Sequence, residues 1–94
     1  MAVYIATWEL NREKPNYAQA RGILLGALSK FEHKKDPQLD SVAFISTPLA
    51  VNHVSDALLK ALDADDRLVV VTMTRGNHQG WLAKEVWDWI NARL

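Results

Sequence analysis

The chain contains no cysteine. That excludes a disulfide framework, a thiolate zinc site and a cysteine nucleophile. It also has no net charge, because eleven lysines and arginines balance eleven aspartates and glutamates. The strongly basic surface that often marks a nucleic-acid binder is therefore missing, although a local basic patch fits within the balance. No apolar run approaches the roughly 18 residues of a membrane span, and the first residues lack a basic segment leading into an apolar one. A soluble, cytoplasmic protein is the expectation. Hydrophobic residues make up 49% of the sequence, which excludes a disordered chain. The 94 residues form one domain, 1–94, with a modest core of its own. A domain this small exposes much of its surface, so self-association is a common supplement.

Three segments read as strands. In Val3–Leu10, Tyr4, Ala6, Trp8 and Leu10 alternate with Val3, Ile5, Thr7 and Glu9. Both faces are largely apolar, which suits a central strand. Asp40–Thr47 and Leu68–Met73 are the other two. Helical spacing runs from Tyr17 to Phe31 after a polar loop, with Asn16 as a capping candidate. Gly22 and Gly26 lie four apart in this helix and point to close approach by another backbone. Thr47-Pro48 has the chemistry of a helix start, a threonine cap followed by proline at the first helical position. The helix it opens carries Val51, Val54, Leu58 and Leu62 on one face, and Asp63–Arg67 forms a tight turn into the last strand. Trp81–Leu94 closes the chain as a helix, with Trp87 toward the core and Trp81 and Trp89 on its flank.

The segment from Phe31 to Leu39 is long for a simple connection. A short antiparallel strand near Phe31–Lys35 turns the plan into an α+β, ferredoxin-like βαββαβ sandwich with an added C-terminal helix. Helices cover one face of such a sheet and leave the other open. Here the strands are apolar on both faces, so the open face needs a partner. A second copy of the chain, forming a homodimer, is the simplest one.

The order of Trp8-Glu9-Leu10-Asn11, a hydrophobic helix, Leu39-Asp40-Ser41 leading to Phe44-Ile45-Ser46-Thr47, and Leu62-Asp63-Ala64-Asp65-Asp66-Arg67-Leu68 resembles small proteins grouped under the name SinR. These in turn are similar to the ferredoxin-fold nuclease group of the second CRISPR-associated protein and virulence-associated protein D. The resemblance covers residues 2 to about 74. It implies a homodimer in which an acid at the end of the first strand faces its symmetry mate and holds Mg²⁺, with RNA or DNA as substrate. The acid of that pattern is commonly aspartate in a tyrosine-aspartate-leucine-asparagine run. Glu9 keeps the charge but moves the carboxylate by about 1.5 Å, one carbon–carbon bond.

Glu9 is thus the candidate catalytic and metal-binding residue; its alternative is a solvated acid at a strand end, paired with Arg12 or Lys14. Arg75 and His78 lie in a loop with Gly76 and Gly80 ahead of a helix, where backbone N–H groups could receive an anion and the imidazole could move a proton. Lys34 and Lys35 supply a basic patch for phosphates, or else protect a sheet edge. The acidic run Asp63, Asp65, Asp66 reads as a turn rather than a calcium loop, because the remaining oxygen ligands do not follow. His33, His53 and His78 have no zinc-ligand spacing.

Two functions follow. One is a non-catalytic interaction or regulatory module acting as a homodimer, with a protein partner. The other is a Mg²⁺-dependent endonuclease or nucleic-acid-binding protein of a defence or toxin–antitoxin system. Zero charge and the incomplete catalytic set favour the first.

Overall fold

The computed structural model describes residues 2–11 and 15–94. Seven elements follow one another: β1 (Ala2–Glu9), α1 (Tyr17–Leu28), β2 (Glu32–Lys34), β3 (Val42–Thr47), α2 (Val51–Leu59), β4 (Arg67–Thr72) and α3 (Lys84–Arg93). The strands form one sheet in the order β2-β3-β1-β4, with every neighbouring pair antiparallel. This is the ferredoxin-like α+β sandwich, βαββαβ, with an extra C-terminal helix. The short strand expected near Phe31–Lys35 is β2, and its three residues are enough to form an outer edge.

The alternation in β1 sorts the core into two layers. Tyr4, Ala6, Trp8 and Leu10 point toward α1 and α2, where they pack with Leu24, Leu28, Ala43, Ile45, Val54 and Leu58. Val3 points the other way, into a second cluster with Phe44, Met73, Val86 and Ile90. The second layer corrects an expectation. The open face does pack against something, but over β3 and the start of β1 that something is the chain's own α3.

Two ties fasten α3, one near each end. The Ala83 N–H, at the helix N-terminus, donates to Asp36 Oδ2 at 2.8 Å. Asp36 Oδ1 accepts the Gln38 N–H at 2.9 Å. Near the other end, the Arg93 guanidinium pairs with Glu32 on β2 and lies 4.3 Å above the Trp89 ring. These two N–H donors hold the buried Asp36 carboxyl below the usual aspartate range.

Several boundaries differ from the sequence reading. Thr47 does not cap α2. It ends β3, paired with Ala2, and its Oγ1 accepts the Leu49 N–H at 3.3 Å; α2 begins at Val51 with Ala50 as its N-cap. The strand ladder claims the threonine before the helix can. The first helix stops at Leu28 rather than reaching Phe31, and α3 starts at Lys84 rather than Trp81. Asn16 does occupy the N-cap of α1, but its side chain makes no capping bond. Gly22 and Gly26 approach no other backbone: a Cβ built on either would meet nothing within 4 Å.

The turn after α2 forms as expected, and it locks the end of β1. Asp66 is buried and accepts the Asn11 N–H and the Asp63 N–H, each at 2.9 Å. The Asn11 side-chain amide donates to Asp65 at 2.8 Å. The acidic run is a clasp in which Asp66 takes two backbone donors and Asp65 a side-chain amide.

Candidate functional site

Glu9 is the last residue of β1, and its Cα partner across the sheet is Arg67, the first of β4. By strand alternation it shares a face with Val3, Ile5 and Thr7, as the sequence predicts. Both Glu9 and Arg67 are exposed. Thr7, Trp8, Glu9, Arg67, Leu68 and Val69 line a shallow groove of about 360 Å³ at this end of the sheet. The Arg67 guanidinium is turned to the chain that precedes it, donating to Asp66 O at 2.9 Å and Ala64 O at 3.4 Å. The pairings of Glu9 with Arg12 or Lys14 fall outside the described residues.

The other candidates do not gather around Glu9. The Met73 N–H donates to Val3 O, so the loop that follows, with Arg75 and His78, sits at the opposite end of β1. Eight residues of strand separate the two ends, about 25 Å at the extended rise per residue. In that loop Arg75 donates to the Leu94 carbonyl. The His78 ring stacks on Trp87 with centroids 5.6 Å apart, and its Nδ1 lies 3.2 Å from Thr74 O. Both residues tie the loop to α3.

Lys34 and Lys35 point to opposite faces. Lys34 stands opposite Phe44, on the side covered by α3. Lys35 reaches the other face, where its ammonium donates to the carbonyls of Leu39, Asp40 and Val42 at 2.8–3.1 Å. It also sits 4.9 Å from the centre of the Trp8 ring. Burial lowers its pKa from the ordinary lysine value, and the nearby charge of Arg21 lowers it further. Three carbonyls and an aromatic face use the charge of Lys35 to hold the β2–β3 connection. No sequence signal announces this, because the carbonyls converge only when the loop folds back.

Among the described residues, one group of three or more acidic or imidazole side chains lies close enough to share a cation. It is Asp63, Asp65 and Asp66, with ligand atoms within 4.8 Å of one another. Glu9 is not part of it. The acidic group is the clasp described above, and its oxygens already serve Asn11 and Asp63. Among the described residues Glu9 therefore belongs to no such group, and the position across the sheet from it is Arg67, a poor start for an ion that needs near-octahedral oxygen ligation.

The open face that the sequence reading leaves for a second copy is narrowed by α3 to one strip, a limit no sequence signal announces. The helix α3 covers the sheet over β3 and the start of β1, but Val69 and Val71 on β4 remain 51% and 52% exposed on the open face. Ile5 and Thr7 stand directly opposite them on β1 and are half-buried. The strip ends at Glu9 and Arg67. Trp81, just before α3, is 98% exposed beside the loop Asp36–Leu39. No protein-family model matches the chain, and no curated protein matches it.

Proposed function

We propose that the protein is a non-catalytic interaction module that works as a homodimer. It joins a second copy through β4, the strand that α3 leaves uncovered. The observation that carries this reading is the half-exposed pair Val69 and Val71 on β4, in a sheet whose other large apolar side chains are covered. Apolar side chains grouped on one strand pair lose water on association, at about 25 cal/mol per Å² buried. Light scattering at micromolar concentration reads a dimer mass for the wild type. Val69→Lys combined with Val71→Lys reads a monomer with unchanged far-UV circular dichroism. A monomeric wild type would end the proposal.

A second reading, a Mg²⁺-dependent nuclease or nucleic-acid-binding protein of a defence system, draws support from the exposed Glu9 carboxylate at the end of the same strip. The dispersal of Arg75, His78, Lys34 and Lys35 weighs against it. A cleavage assay on mixed RNA and DNA, with and without Mg²⁺, separates the two. The first reading expects no Mg²⁺-dependent cleavage; the second expects cleavage that Glu9→Gln abolishes.

A further inference from the structure

The two edges of the sheet are built differently. One edge, β2, is three residues long, two of them charged, and is followed by Lys35-Asp36-Pro37. Those are the devices that discourage strand addition. The other edge, β4, reads Arg-Leu-Val-Val-Val-Thr and pairs with β1 through six consecutive positions without a bulge. It holds no proline, glycine, lysine or acid, and its one charge stands at its first residue.

The hydrogen-bonding direction along β4 follows from one bond. The Met73 N–H donates to Val3 O at 2.8 Å, directly across the register. In an antiparallel ladder the bonded pairs alternate. Val71 and Val69 therefore bond inward to Ile5 and Thr7. The N–H and C=O groups of Leu68, Val70 and Thr72 point outward, along the free edge.

We infer that β4 pairs antiparallel with β4 of a second copy, about a two-fold axis beside Val70, joining two four-stranded sheets into one. This edge contact presupposes the self-association proposed above and fixes its geometry. Three observations select a second copy as the occupant. The register centred on Val70 sets Leu68 against Thr72 and Val70 against itself, so every outward group of the segment meets an outward group. The same register sets Val69 of one copy opposite Val71 of the other, covering the half-exposed valines with each other. The charges at the ends of β4 are also complementary. The exposed Asp63 and Asp65 precede its start, where they outnumber the exposed Arg67, and the exposed Arg75 follows its end. Antiparallel pairing brings the acidic end of each strand beside the basic end of the other.

The test separates this seam from a dimer stacked face to face. Val70→Pro removes an outward N–H and leaves the ladder to β1 intact, a placement proline tolerates on an edge strand. Thr7→Lys instead charges the middle of the open face, one strand in from the seam. Light scattering across a dilution series is expected to show the dimer of Val70→Pro weakened by about tenfold or more, with Thr7→Lys close to wild type. Amide hydrogen exchange on the unsubstituted protein gives a reading that needs no variant. The N–H groups of Leu68, Val70 and Thr72 are expected to be protected in the dimer and to lose that protection on dilution. A dimer that survives Val70→Pro but fails with Thr7→Lys, or whose Leu68, Val70 and Thr72 amides exchange freely, overturns the edge contact and leaves self-association standing. A monomeric wild type overturns both.

Discussion

Replacing Ile90 with alanine tests whether α3 belongs to the core or merely decorates it. Ile90 is fully buried, together with Val86, against Val3, Phe44 and Met73. The substitution deletes three carbons, which at about 0.8 kcal/mol each is about 2.4 kcal/mol of lost transfer energy. The vacated space adds to this, because the sheet beneath is rigid and the helix above is held at both ends by Asp36 and Glu32. An overall loss of about 3–4 kcal/mol is expected, within the measured range for such truncations. A domain of this size has a total stability of about 5–14 kcal/mol, so the variant should stay folded but with a much lower midpoint. Urea titration followed by circular dichroism supplies the stability, and tryptophan fluorescence follows α3 through Trp87 and Trp89. Both signals should shift together. Trp81→Ala, at an almost fully exposed position, serves as the control and should change stability by less than about 0.5 kcal/mol. A loss below about 1 kcal/mol for Ile90→Ala would refute the packing of α3 on the sheet.

Two further outcomes follow from the fold. Gly26→Ala should stabilise the protein by up to about 1 kcal/mol, since a Cβ there meets nothing and the helix gains propensity; thermal melting checks it. The Asp36 carboxyl has a folded-state pKa lowered by the Ala83 and Gln38 N–H groups. Its contribution is therefore complete above the unfolded aspartate value, about 3.9, and is lost as pH falls through the lower folded value. A pH titration of stability should show this acid loss in the wild type, and Asp36→Asn should flatten that part of the profile.

The opening of the chain shows how much local pattern can carry. Alternation alone assigns Tyr4, Ala6, Trp8 and Leu10 to one face of β1 and Val3, Ile5, Thr7 and Glu9 to the other, because a strand has no third direction for a side chain. The same logic, with the long connection after the first helix, yields the four strands, the two sandwich helices and the turn at Asp63–Asp66. Local chemistry was less reliable where two elements compete for one residue. Thr47 reads as a helix cap, yet the ladder to Ala2 holds it in β3. Gly22 and Gly26 read as a packing seam, yet they face open space.

Sequence by itself determined that the sheet is apolar on both sides and so requires a cover on each. Only the tertiary structure decided what the cover is. The helical period of α3 marks one apolar stripe without naming its target. That target is set by the distant Asp36 and Glu32, which catch its two ends. The same long-range placement dispersed the candidate site. Glu9, Arg75, His78, Lys34 and Lys35 each have chemistry that suits phosphate or metal. Whether they meet depends on strand direction and on which face each side chain takes. The antiparallel register puts Glu9 and Arg75 at opposite ends of the sheet, and the pleat sends Lys34 and Lys35 to opposite faces. Uncovered β4 is a tertiary fact as well: its valines are the most strand-like residues in the chain, and they stay half-exposed because α3 lies over β1 and β3 instead.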